Sequence, residues 1–253
     1  MKNVGFASII LALLLMCGSA HAGDGAGSTY NWTGFYAGIN AGGAINDSKY
    51  KLSPSGLALE PPYVQYNPLR TDSGSFDDTA FTGGAQLGYN YQVCNFVFGL
   101  ETDFNYNGTD ESDSVDRALS APLLGRLIHS VKQNVDYFGT FRARVGVTPF
   151  DRLLVYGTGG LAYGHVSSSS NVLFTSSEDN YVGSKSDIRA GWAAGGGSEY
   201  AVTNNWSLRI EYLFVDLGKQ SYSYTNQLYP GFDYKTDIEN KEHVIRLGIN
   251  YKF

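Results

Sequence analysis

Cysteine is nearly missing from this 253-residue chain, which has only Cys17 and Cys94. Two such residues cannot build a cysteine-ligated zinc site or a disulfide framework. Histidine occurs four times, with no H-x-x-H or H-E-x-x-H spacing, so neither a metal nor a cofactor is expected. Beyond the N-terminus no apolar run approaches the about 20 residues that a membrane-spanning helix needs. A basic surplus is lacking too. Lys and Arg total 18 against 24 Asp and Glu, a formal net charge of −6, which gives no global reason to bind nucleic acid.

The first residues form a separate unit. Lys2 precedes the short apolar stretch "FASIILALLLMCG" and then Ala20-His21-Ala22. A positive start, a short apolar core and an A-x-A site describe a secretory signal peptide. Residues 1–22 are therefore expected to be cleaved, leaving 23–253 as one β domain. Processing would leave Cys94 alone, with no intrachain disulfide and its partner open.

Glycine, tyrosine and phenylalanine are abundant, at 31, 19 and 14, and their arrangement has a period of two. "FYAGINAGGAI" (35–45) sets Phe35, Ala37, Ile39 and Ala41 against Gly38, Asn40 and Gly42. "FVFGLETDFNY" (96–106) sets Phe98, Leu100, Phe104 and Tyr106 against Glu101 and Asp103. The same alternation runs through 81–91, 135–147, 152–166, 187–200, 206–216 and 243–253. Period two marks a strand with two unlike faces, so eight strands are predicted.

Their connections alternate in length. "QVCN", "TPFD" and "AVTNN" are short, whereas 46–80, 107–134, 167–186 and 217–242 are long and rich in Ser, Asp, Asn, Gly and Tyr. Short turns at one end and long polar loops at the other are the outer-membrane barrel pattern. The predicted fold is all-β: an eight-stranded antiparallel transmembrane β-barrel with short periplasmic turns and four long extracellular loops. The long connections are expected to be surface loops, partly disordered.

Charge identifies the wet face. Glu101, Asp103, Asp136, Asp187, Glu199 and Glu211 share strand parity with the small polar residues, as do Arg142, Arg144, Arg189, Arg209, Arg246 and Lys252. One Arg on the lipid face at the midplane costs about 2–4 kcal/mol, so these twelve charges belong inside. A barrel of eight strands has an interior that side chains just fill. The charges should then pair, because a buried unpaired charge is costly, as in Glu101 and Asp103 with Arg142 and Arg144 on the next strand. A plugged lumen is expected rather than an ion path.

Trp32, Phe35, Tyr91, Phe96, Phe150, Trp206, Tyr251 and Phe253 lie near the short turns and read as an interfacial aromatic girdle. The closing strand alternates Leu247, Ile249, Tyr251 and Phe253 on one face. An edge this apolar is an aggregation hazard in water but suits lipid if the last strand closes on the first. These four residues also resemble the C-terminal signal read by the barrel-assembly machinery of Gram-negative bacteria.

The stretches "NWTGFYAGINAGG", "FVFGLETDFNY", "YFGTFRARVGV", "RLLVYGTGGLAYG", "GWAAGGGSEYAVTNNWSLRIEYLFVDLG" and "IRLGINYKF" together resemble the alphaproteobacterial outer-membrane immunogenic proteins. These are porin-like surface antigens with an OmpA-type barrel domain. The resemblance implies a bacterial outer-membrane location and a structural, surface-exposed role in envelope integrity. It also implies contact with outer-membrane lipids, and with host or environmental ligands through the long loops. A narrow porin is the alternative, and some relatives bind haemin. The family supplies no catalytic motif, and no enzyme is expected.

Three local motifs are weaker. "GTGGLA" (157–162) matches a dinucleotide fingerprint but lacks the helix that motif requires. His129, His165 and His243 are scattered singly. Ser167–Ser170 stand beside His165, with Glu178 and Asp179 downstream, but a triad is defined by geometry and not by sequence proximity.

Overall fold

The computed structural model describes residues 30–62, 71–76, 79–119, 125–175, 179–225 and 231–253. The expected signal segment lies outside them. Ten strands occur among the described residues: β1 (Gly34–Asn46), β2 (Ser48–Gly56), β3 (Asp72–Phe76), β4 (Thr79–Val93), β5 (Phe96–Ala118), β6 (Arg126–Phe150), β7 (Leu153–Phe174), β8 (Asp179–Ala201), β9 (Trp206–Thr225) and β10 (Phe232–Lys252). Eight of them, β1 and β4 to β10, form a continuous antiparallel ring, closed by β1 on β10 from Tyr36↔Lys252 to Asn46↔Glu242. In hydrocarbon every backbone polar group needs a protein partner, and ring closure supplies one on both sides of each strand.

The two additional strands continue the wall upward. Along β10, β1 pairs up to Glu242, and β2 takes over at Glu239 and continues to Phe232. Strand β3 then pairs with β2, so the β2–β3 hairpin prolongs the β1–β4 hairpin beyond the ring.

The expected long loops are thus largely strand. Strand β5 has 23 residues, β6 has 25, β7 has 22 and β8 has 23. At about 3.3 Å per residue and a tilt of about 40°, 23 residues rise about 55–60 Å, against an apolar band of about 25 Å. The sequence concealed this because the upper strands are polar outside and Tyr-rich inside, which reads as loop composition. Above the membrane, no pairing of β8 with β9 extends past Trp192↔Asp216 among the described residues. The wall parts there into two facing sheets, β9–β10–β2–β3 and β5–β6–β7–β8. Between them lies an apolar core that includes Tyr50, Leu52, Leu127, Val172, Tyr224 and Ile238.

The outer face of the ring carries the predicted apolar residues. Ile39, Leu100, Phe141, Leu161, Ile188, Ile210 and Leu247 are all exposed. Phe35, Tyr91, Phe150, Trp206, Tyr251 and Phe253 point outward near the short turns. Trp32 is a correction to the girdle. It is 2% exposed and packs edge-on against Tyr30 inside the periplasmic mouth. Its position number has the inward parity of Tyr36, and its main-chain N–H donates to Gln92 Oε1 at 2.8 Å. Cys94, with φ of 53°, sits in the tight β4–β5 turn.

Leu247 lies halfway up the lipid face, between Ala41 and Ile210. Leu247→Arg is expected to cost about 2–4 kcal/mol of barrel stability, measured as a shift of the urea midpoint after refolding into vesicles. An unchanged midpoint would mean that this face does not meet lipid.

Candidate functional site

The buried interior of the ring is built from alternate residues of neighbouring strands. Registers Glu101↔Arg142, Glu199↔Arg209 and Glu211↔Arg246 set acids directly opposite arginines. Arg142 Nη2 donates to Glu101 Oε1 at 2.6 Å and to Asp103 Oδ2 at 2.8 Å, and its Nη1 lies 3.3 Å from Glu211 Oε1. Arg246 Nη2 joins Asp103 at 2.7 Å to Glu211 at 2.6 Å. Arg209 Nη1 reaches Glu101 Oε2 at 2.5 Å. Arg144 Nη2 donates to Glu199 Oε2 at 2.9 Å, and its guanidinium lies 4.0 Å from the Tyr156 ring centroid.

Four arginines thus meet four carboxylates in one neutral cluster, with every side chain at most 3% exposed. Neutral groups complete it. Tyr36 donates to Glu101 at 2.6 Å and Tyr156 to Glu211 at 2.9 Å, while Ser207 and Asn250 donate to Glu199. Two glycines make the space. A Cβ at Gly88 would collide with the Tyr36 ring, and one at Gly99 would lie 2.8 Å from Arg144 Cγ.

The cluster is one of several layers. Below it sit Trp32, Val97, Leu154 and Tyr156. Above it comes an apolar layer with Val135, Phe138, Val166, Leu213, Leu217 and Val244. Next are the pairs Asn107–Glu242 at 2.9 Å, Gln133–Asn240 at 2.7 Å and Ser168–Gln220 at 2.9 Å. The aromatic core of the extracellular sheets lies on top.

Of the predicted lumen set, Glu101, Asp103, Arg142, Arg144, Glu199, Arg209, Glu211 and Arg246 meet in this cluster. Asp187 and Arg189 keep inward parity but sit higher, where β8 has left β9. Asp187 pairs with Lys185 at 3.1 Å, and Arg189 donates to the main-chain oxygen of Lys219. Lys252 lies at the periplasmic mouth, 4.3 Å from the Tyr30 ring centroid.

Asp136 is a correction. It is the extra residue of a β-bulge between Val135↔Val166 and Tyr137↔His165, so it points outward, and its Oδ2 lies 2.6 Å from His165 Nδ1. Strict alternation cannot reveal a bulge, which shifts parity for every residue beyond it.

His129 was also not foreseen as a structural residue. It is fully buried between the extracellular sheets, with Nδ1 2.8 Å from Asp72 Oδ2 and Nε2 3.0 Å from Ser170 Oγ. Burial, the largest single effect, opposes ionisation of Asp72, but the hydrogen bond and attraction of His129, the Ser73 main-chain N–H and the charge of Arg117 together hold the carboxyl below its usual range. The "GTGGLA" stretch lies inside strand β7, without the helix that nucleotide binding would need. Among the described residues no cluster of His, Cys, Asp or Glu could hold a metal ion.

Residues 9–253 match the family model of the outer membrane protein beta-barrel domain. The chain is 40% identical over 232 residues to the 31 kDa outer-membrane immunogenic protein of Brucella melitensis biotype 1, covering 89% of this chain and 85% of that protein. It is 33% identical over 186 residues to a 22 kDa outer membrane protein of Rhizobium leguminosarum bv. viciae, covering 72% and 71%. Among solved structures it is similar to the outer membrane protease OmpT from Escherichia coli, with a TM-score of 0.50, 12% identity and coverage of 90% and 99%. That likeness speaks to the fold alone.

Glu101 contacts three arginines. Glu101→Gln is therefore expected to destabilise the barrel by about 3–5 kcal/mol, the cost of leaving buried charge unpaired. Adding Arg209→Met should recover part of that loss, a coupling that a double-mutant cycle in urea would read. Purely additive effects would contradict the network.

Proposed function

Because this chain belongs to the outer membrane protein beta-barrel domain family and lies in the bacterial outer membrane, we propose that it is a structural, surface-exposed component of the envelope. Its barrel contributes to envelope integrity, and its extracellular sheets meet host or environmental ligands. The observation that carries this reading is the filled interior. From Trp32 at one mouth to the Tyr-rich core at the other, successive layers of side chains occupy the lumen. Such a barrel is rigid and seals the membrane it crosses, and the role requires no catalytic step in the lumen.

The remaining partners follow the same reading. Outer-membrane lipids cover the apolar belt. Residues 1–22 direct export, and Leu247, Ile249, Tyr251 and Phe253 present the strand that the barrel-assembly machinery reads. Leu247, Ile249 and Tyr251 project outward from β10, and Phe253 follows just beyond it, which leaves them accessible before the ring closes. No nucleic acid, metal or cofactor enters the account.

Planar-bilayer recording separates this reading from a narrow porin. The refolded protein is expected to leave bilayer conductance at its baseline. Stable single-channel steps would overturn the sealed lumen and favour passage of small solutes.

A further inference from the structure

Two groups of Asp, His and Ser occur among the described residues, and they differ in exposure. Asp72, His129 and Ser170 meet at the extracellular core, where His129 stacks edge-on against Tyr50 at 5.4 Å. His129 and Ser170 are buried there, and the three residues tie β3 to β6 and β7. Asp136, His165 and Ser186 stand instead on the outer wall. His165 Nδ1 lies 2.6 Å from Asp136 Oδ2, and His165 Nε2 lies 3.0 Å from Ser186 Oγ. The side chains of His165 and Asp136 are 29% and 49% exposed, and Ser186 is exposed.

Three separate features build this arrangement. The bulge at Asp136 turns an acid out of a strand whose parity would have placed it inside, and bulges of this kind re-aim side chains beside active sites. Tyr137 stacks flat on His165, with centroids 5.5 Å apart and planes at 15°, which holds the imidazole in orientation. Ser167 Oγ lies 3.0 Å from Ser186 Oγ and supplies a second hydroxyl beside the first. With Nδ1–H donated to Asp136, Nε2 is left to accept the Ser186 proton, the tautomer a general base requires.

The surroundings indicate the substrate. Ser186 opens on a groove of about 420 Å³ whose lining includes Lys132, Asn134, Ser167, Ser169 and Ser184. Tyr137, His165 and Ile188 form one cross-strand row. Directly below on the same face are Tyr163 and Leu161, part of the apolar belt. Ser186 thus stands in the row Asn134, Ser167 and Ser186 just above that belt, where the ester bonds of a membrane lipid would lie. Acyl chains would lie along Leu161, Tyr163 and Ile188, and Lys132 would face a headgroup phosphate.

We propose that Asp136, His165 and Ser186 form a lipid-facing esterase site that hydrolyses acyl esters of outer-leaflet lipids, an activity beyond the structural role above. Ser186 Oγ attacks the ester carbonyl while His165 Nε2 takes its proton, and Ser167 donates to the developing oxyanion. The bond to the lipid alkoxide breaks, and that oxygen takes the proton from His165. Water, deprotonated by His165, then releases the fatty acid and regenerates Ser186. Asp136 is a positioning residue that keeps the imidazole oriented.

The full chain, refolded in detergent micelles, is assayed with micellar p-nitrophenyl palmitate, soluble p-nitrophenyl acetate and a fluorophosphonate probe. The expected result is palmitate turnover and a probe adduct on Ser186 by mass spectrometry. Ser186→Ala should lower the rate at least about 100-fold while the protein keeps its heat-modifiable band. Should that variant fail to fold, His165→Gln makes the same comparison. Asp136→Asn should lower kcat about 100-fold or more with KM unchanged. Absence of both turnover and adduct, or turnover that survives both substitutions, would overturn the site. Hydrolysis of the acetate but not the palmitate would overturn the lipid substrate.

Discussion

The pairing of β1 with β10 is the constraint from which the rest follows. It closes the ring, so that every spanning strand has partners on both sides and the apolar side chains can meet lipid without an open edge. Closure also encloses the opposite face. Polar and charged residues that alternate with the lipid-facing ones must then share a space that eight strands leave barely large enough for them. The neutral cluster of four arginines and four carboxylates is the consequence. Each charge is buried, and each is tolerable only because its neighbours carry the opposite sign. The glycines of the wall serve the same end, since Gly88 and Gly99 leave the room that Tyr36 and Arg144 occupy.

The regular part of this fold was legible in the sequence. Alternation identified the eight spanning strands, and the charges separated the inner face from the outer one. Eight members of the predicted lumen set lie together because their strands stay in register within the membrane. What could not be read was whatever breaks or exceeds the alternation. The bulge at Asp136 moves one acid from the lumen to the outer wall. A second irregularity at Leu217 and Gly218, with φ of +74° at Gly218, shifts the inward parity of β9 from odd to even residues. Trp32 precedes the first strand and folds into the mouth, although aromatic composition alone suggested a girdle position. The extracellular sheets were hidden because Ser, Asn, Asp and Tyr in long connections resemble loops until Tyr222, Tyr224 and Tyr234 are seen to share a core.

A filled interior moves function to the surfaces. On the proposed function, the lumen network supplies rigidity and an impermeable wall, and chemistry or recognition falls to the extracellular sheets and the outer belt. The two Asp, His and Ser groups show how one set of residue types takes two roles according to solvent. Between the extracellular sheets, Asp72, His129 and Ser170 act as a fastening. On the outer wall the same three types stand where a lipid ester can approach. In both cases different strands supply the members, which is why neither group was visible along the chain.

The most direct test of the account is refolding into detergent micelles, followed by electrophoresis of boiled and unboiled samples beside a far-ultraviolet spectrum. A closed membrane barrel predicts a β-rich spectrum and an unboiled band that migrates apart from the boiled one. A chain that shows no such shift and stays soluble after detergent removal would contradict the account, because its apolar face would then be turned inward and its charges toward water.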